Sequence, residues 1–188
     1  PTGRGEHAAV YEHCHDRIIL FGGNDYQPEE CADFGPKQFS GETWVYALEY
    51  ENWVRITPRE APHSRGRHEM VFDSRQKRVI LFGGRYRELA AAGTDPYDLF
   101  NDLWAFDVNE DQWTELQTSG DRPSPRGNSA MVYDEETNQI LLFGGSTSTS
   151  GLAFIPQNDT YLLDLSTLVW RRLLGDGPSA RLFHKMVM

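Results

Sequence analysis

The sequence predicts an all-β chain of repeated four-stranded units, and three observations predict it. The first is a three-fold echo. "RIILFGG" (Arg17 to Gly23) returns as "RVILFGG" (Arg78 to Gly84) and as "QILLFGG" (Gln139 to Gly145). Gly22, Gly83 and Gly144 fall at intervals of 83 − 22 = 61 and 144 − 83 = 61. The second is a closing block, "GETWVYALEYENW", "NDLWAFDVNEDQW" and "NDTYLLDLSTLVW", in which 12 positions always separate the first residue from the last tryptophan. A spacing held that tightly beside loops that vary marks a rigid unit repeated along the chain. The third is local. The apolar runs are four to six residues long, rich in Val, Ile, Phe, Tyr and Trp, and bounded by turn residues, whereas the only helical-looking patch, "RELAAAG" from Arg87, is short.

Each unit reads as four strands in order. The first follows an arginine motif ("RGEH", "RGRH", "RGNS") and runs through "HAAVYE", "HEMVFD" or "SAMVYD". A polar turn ("HCHD", "SRQK", "EETN") leads into the strand that ends on the glycine pair Gly22–Gly23, Gly83–Gly84 or Gly144–Gly145. Paired glycines there allow positive φ and close backbone approach where the chain leaves a crowded sheet. A long loop follows, then the third strand ("WVYAL", "LWAFD", "TYLLD"). The fourth begins at Trp53, Trp113 or Trp170, side chains large enough to fill the gap between stacked sheets. Asp107 and Asp164 stand where a short acid can bond turn amides between strands three and four, and Ala47 holds that position in the first unit.

Glycine pair, aromatic (Trp44, Trp104, Tyr161) and closing tryptophan at this spacing resemble the kelch repeat, with three copies covering essentially the whole chain. The resemblance implies a β-propeller with one four-stranded blade per repeat. The blades are expected at about 4–57, 65–118 and 126–174, within one segment spanning 1–188. "RLFHKMVM", Arg181 to Met188, aligns with "RGRHEMVF" and "RGNSAMVY" as the first strand of a fourth blade. Propellers close with roughly 4 to 8 blades. The expectation is therefore a partial propeller, completed by further blades of the same chain or by a second chain.

Composition narrows the function. Hydrophobic content of 39% and charge of 24% are ordinary for a soluble globular chain. A net charge of −10 and a pI near 5.0 argue against a nucleic-acid partner. No apolar run approaches the roughly 20 residues of a membrane span, so no membrane partner is expected. Cys14 lies in a tight turn and Cys31 in a long loop, positions that the alternating connections of a blade put on opposite faces, roughly 17 Å apart. Both are expected as free thiols, which mildly favours a reducing, cytoplasmic compartment. No nucleophile elbow, P-loop or dinucleotide fingerprint is present, and no cofactor is expected.

Binding should reside in the long loops Asn24 to Ser40, Arg85 to Phe100 and Ser146 to Gln157, which share one face with the links between blades. Two positions per unit converge near the channel: the residue after the glycine pair (Asn24, Arg85, Ser146) and the residue before the innermost strand (Glu6, Arg67, Asn128, Phe183). Peptide-binding kelch propellers resemble this arrangement, with arginines capturing acidic motifs. Arg67 and Arg85 are thus the leading contacts, with Asn24, Asn128 and Ser146 beside them and Tyr26 and Tyr86 as an aromatic wall. The competing reading pairs both arginines with loop carboxylates such as Glu88, Asp95 and Asp98. Arg4, Arg65, Arg126 and Arg181 recur in every unit and are expected to stabilise blade packing, as are His7, His68 and His184 with Ser129 in the third unit. "EHCHD" (Glu12 to Asp16) gathers metal-ligand types but occupies a tight turn, and "NDT" at Asn158 to Thr160 fits the repeat better than a glycosylation site. The leading reading is a non-catalytic module binding a protein or peptide, possibly acidic. The alternatives are an enzyme using the channel mouth, directed at carbohydrate or similar to copper oxidases, and a structural scaffold piece of a larger assembly.

Overall fold

Successive side chains of a strand point to opposite faces, so one sheet can serve two seams, and the fold is built on that property. A computed structural model describes residues 1–24, 39–88, 96–150 and 152–187. The first sheet runs β1 (Ala8–Glu12), β2 (Arg17–Phe21), β3 (Thr43–Ala47) and β4 (Asn52–Ile56) in that spatial order, all antiparallel. The second sheet starts with β5 (Glu69–Asp73) and β6 (Arg78–Phe82). After a two-stranded ribbon of β7 (Arg85–Tyr86) and β8 (Asp98–Leu99) it resumes with β9 (Leu103–Asp107) and β10 (Gln112–Glu115). A short β11 (Ser119–Gly120) then joins the third sheet, made of β12 (Ala130–Asp134), β13 (Gln139–Phe143), β14 (Thr160–Asp164) and β15 (Val169–Leu173). No helix occurs among the described residues, and most of the "RELAAAG" patch lies outside them. Strand β5 adjoins β1 on one side and β12 on the other, the three being the innermost strands of their blades.

The middle blade is buried on both sides. From β6, Val79 and Leu81 join Ile19, Phe21 and Val45 of the first blade, while Ile80 and Phe82 join Ile140, Leu142 and Leu163 of the third. That is why "VILF" is continuously apolar rather than alternating. Trp113 crosses the first seam, its ring 5.2 Å from Phe21 and its Nε1 donating to Thr43 Oγ1 at 2.9 Å. Trp170 crosses the second against Phe82 at 5.5 Å, but Leu103 occupies the place of Thr43, and the Trp170 Nε1 has no partner among the described residues. The gap-filling role expected of all three tryptophans fails for Trp53. It is 36% exposed against Tyr46, because no further sheet packs on that face of the first blade among the described residues.

The glycine pairs are where the next unit passes. A Cβ on Gly83 (φ 68) would stand 2.7 Å from the carbonyl of Arg126, and Gly84 N donates to that same carbonyl at 2.9 Å. Turn chemistry follows the sequence reading where Asp107 accepts from the amides of Asn109 and Glu110, and Asp164 from those of Ser166 and Thr167. The first unit, lacking the acid, closes its turn with Tyr50 N on Ala47 O. In the other tight turn Glu12 is fully buried and accepts from the amides of Cys14 and His15 and from His15 Nδ1, so "EHCHD" is a capped turn. Cys14 is a free, exposed thiol, and Cys31 lies outside the described residues. The segment from Arg181 enters as the other units do, bridging Gln157, but residues 184–187 run without a strand partner among the described residues and form no β-strand.

Candidate functional site

Arginines of two kinds stand near the glycine turns, the repeated Arg4, Arg65, Arg126 and Arg181 and the solitary pair Arg67 and Arg85, and their surroundings separate them. Arg65 is fully buried. Its Nη1 and Nη2 grip Asp102 Oδ1 and Oδ2 at 2.6 and 2.7 Å, Nη1 reaches Gly83 O at 2.9 Å, and Nε takes His63 O. Trp104 Nε1 completes the carboxylate at 2.9 Å. Arg126, Asp159 and Tyr161 repeat this clamp, as do Arg4, Glu42 and Trp44. Burial alone would raise Asp102 and Asp159, but the arginine facing each holds both carboxyls below the usual range. The side chain clamps its own blade, while its carbonyl crosses to the glycine pair of the preceding one. The repeat-invariant arginines are therefore packing elements, as their recurrence suggests. Their acidic partners went unrecognised in the sequence, although an acid always stands two positions before the aromatic.

Two residues further on, the chain does something else. Glu6, Arg67, Asn128 and Phe183 all hold left-handed backbone, with φ of 60, 58, 59 and 58°. Such non-glycine conformations cost of the order of 1 kcal/mol each and persist only where the surroundings impose them. Here a backbone ring imposes them: Arg67 N donates to Glu6 O at 2.8 Å, Asn128 N to Arg67 O at 2.9 Å, and Phe183 N to Asn128 O at 3.3 Å. Outside this ring, Asn24, Arg85 and Ser146 form antiparallel bridges with Gly5, Gly66 and Gly127. Of the two positions per unit expected to converge, the one before the innermost strand lines a cavity of about 310 Å³, with Glu6, Arg67, Asn128 and Phe183 beside His68 and Lys185, whereas Asn24, Arg85 and Ser146 are not part of its lining.

Arg67 and Arg85, both of the second blade, meet Glu6 of the first across the blade boundary. Arg85 Nη2 donates to both Glu6 oxygens at 2.9 and 3.2 Å, and Arg67 Nη2 lies 3.0 Å from Oε1. Burial works against charge on Glu6, but Arg85 and Arg67 outweigh it and hold its carboxyl below the ordinary range. Among the described residues the partner of both arginines is thus a carboxylate of the inner ring. Glu88 and Asp98 do not pair with them, and Asp95 lies outside the described residues. Nε and Nη1 of Arg67 and Nε of Arg85 remain buried without a partner among the described residues. Tyr97 backs Arg85 at 3.9 Å, and Phe183 and Phe154 flank Arg67 at 5.1 and 5.6 Å. Phe154 and Phe183 are exposed; the sequence reading missed Phe154 and Tyr97 because nothing in a variable loop marks which aromatic turns inward.

The remaining expected contacts divide. Tyr86 packs on His63 at 4.4 Å and Phe39 at 5.9 Å and so supports the loops. Ser146 is buried, its hydroxyl accepting from the amides of Ser148 and Ile155. Asn24 and Asn128 are buried on the rim, and Tyr26 lies outside the described residues. His68 is buried edge-on to Phe21 at 5.5 Å, and burial, with Arg65 and His7 adding to it, pushes its pKa down to about 3. His184 stands likewise against Phe143 at 5.2 Å.

Known proteins fit this geometry. The model of the KLHDC2/KLHL20/DRC7 Kelch-repeats domain matches residues 1–188. The chain belongs to the kelch-repeat family. Among curated kelch relatives, the Mei4-dependent protein 6 of Schizosaccharomyces pombe is 28% identical over 174 residues, covering 90% of this chain and 23% of that protein. The dynein regulatory complex subunit 7 of Chlamydomonas reinhardtii is 32% identical over 99 residues, covering 53% of this chain and 8% of that protein. The solved structure of YjhT superposes with a TM-score of 0.70 at 16% identity, over 95% of this chain and 54% of that one, a likeness of fold. The kelch segment thus spans less than a quarter of these curated relatives and about half of the solved structure.

Proposed function

We propose that this kelch segment is a non-catalytic binding module that captures an acidic stretch of a protein or peptide at the channel mouth. The observation that carries the reading is the pair Arg67 and Arg85, set side by side on a rigid ring with three buried N–H-bearing nitrogens unspent. Buried donors without partners cost free energy, and a ligand carboxylate that enters as the side chains covering them move aside would satisfy them with charge-assisted bonds. The aromatic shelf of Tyr97, Phe154 and Phe183 keeps the guanidinium groups oriented and shields the contact from bulk water. The naming of one relative as a subunit of a regulatory complex agrees with an interaction role.

Panning a random peptide display library against the full chain tests this. Enrichment of peptides sharing Asp or Glu at a fixed position, lost on Arg67→Met, is the expected result. Enrichment that ignores acidic residues, or that survives both Arg67→Met and Arg85→Met, would refute the site.

A further inference from the structure

We infer that Glu6 is the specificity-determining residue of this site: a carboxylate supplied by the chain itself, which an acidic ligand must displace from the two arginines. The inference rests on the binding reading above. Three features support it.

Glu6 already occupies the site in the manner of a ligand, its oxygens within 2.9 to 3.2 Å of the Nη2 atoms of Arg67 and Arg85. The backbone ring does not depend on its charge, since the equivalent positions carry Arg67, Asn128 and Phe183 with the same backbone conformation and the same pattern of hydrogen bonds. Finally, the arginines have other supports. Tyr97 lies under Arg85, and Phe154 and Phe183 lie beside Arg67, so the cations stay in place when the carboxylate leaves. Glu6 is held by two arginine side chains, neither of them fully buried, whereas Asp102 and Asp159 are each bound twice by a fully buried arginine.

The consequence is a threshold. Each ligand carboxylate competes with a tethered one, so weak or solitary acids are turned away and only a segment that also engages the unspent nitrogens of Arg67 and Arg85 wins the exchange. Removing the charge of Glu6 while keeping its shape should lower that threshold.

The test follows side-chain Nε–Hε signals of the arginines in the labelled full chain during titration with sodium acetate at constant ionic strength. Glu6→Gln is expected to bind acetate at Arg67 and Arg85 about tenfold more tightly than the native chain, equivalent to about 1.4 kcal/mol. The Arg65 signal serves as the fold reporter and should not move. If Glu6→Gln disturbs it, Glu6→Asp, which keeps the charge but shortens the reach, is expected to give a smaller gain with the reporter intact. Equal or weaker acetate binding in both variants would overturn the inference. Acidic peptides that depend on Arg67 but bind no better to Glu6→Gln would sink the role of Glu6 and leave the binding reading standing. An acetate gain in Glu6→Gln with no acidic peptide enriched would do the reverse.

Discussion

Arg65 and Arg67 sit two residues apart in the same turn and do opposite work. Arg65 is sealed, and each of its guanidinium nitrogens finds an acceptor on Asp102, Gly83 or His63. Arg67 shares one carboxylate with Arg85 and keeps Nε and Nη1 in reserve. The first position is arginine in all four copies of the motif, and the second is Glu6, Arg67, Asn128 and Phe183. A repeat fixes the residues that hold blades together and releases those that face the channel. The recurrent arginine is the structural one, and the solitary arginine is the one with chemistry to spare.

The comparison breaks first at the clamp. Arg65→Met leaves a partly buried Asp102 facing no cation, and should cost about 3 to 5 kcal/mol in urea unfolding. Arg126→Met, which strips the same clamp from Asp159, should behave alike. A loss under about 1 kcal/mol would mean the clamp is incidental. Acid unfolding comes next. The folded pKa of His68, about 3, lies below its ordinary 6.5. The unfolded chain therefore takes up the proton first, and stability that is whole above pH 6.5 drains as pH falls toward 3, at about 1.4 kcal/mol per unit. His68→Phe, which keeps the ring against Phe21, should flatten that part of the profile in a pH series of denaturation curves. Asp102 and Asp159 add loss of the same sign only at lower pH, below their ordinary 3.8.

The two seams sharpen the contrast further. Trp113→Phe abandons a buried bond to Thr43, whereas Trp170→Phe removes an N–H that bonds nothing among the described residues. Both shrink the core, so the informative quantity is their difference, expected at about 1 kcal/mol with Trp113→Phe the worse. The smallest expected effect is at the site itself. Arg67→Met leaves Glu6 paired with Arg85 and should shift stability by less than about 1 kcal/mol.

The fold was legible because repetition exposes it. Strand runs, glycine pairs and tryptophans recur at fixed intervals, and the turn roles of Asp107 and Asp164 follow from position alone. The convergence of Arg67 and Arg85 could also be read, since both positions lie at the same end of neighbouring strands. Their partner could not. Glu6 comes from another blade, 79 residues from Arg85 in sequence, and only the packing of the first blade beside the second brings it within 2.9 Å. The loops offered nearer carboxylates, yet charge density along the chain does not report which acid the backbone ring points inward. Ser146 misled for a related reason. A small hydroxyl at a loop entrance looks available in sequence, but two amides of its own loop claim it. Trp53 misled because the closing tryptophan fills a gap only where a neighbouring sheet stands.

The most direct test of the division between Arg65 and Arg67 is a paired measurement on Arg67→Met: acidic-peptide affinity and urea midpoint from the same preparation. The division predicts an affinity loss of at least about tenfold with an unchanged midpoint. A midpoint that falls as far as that of Arg65→Met, or an affinity that holds, would contradict it.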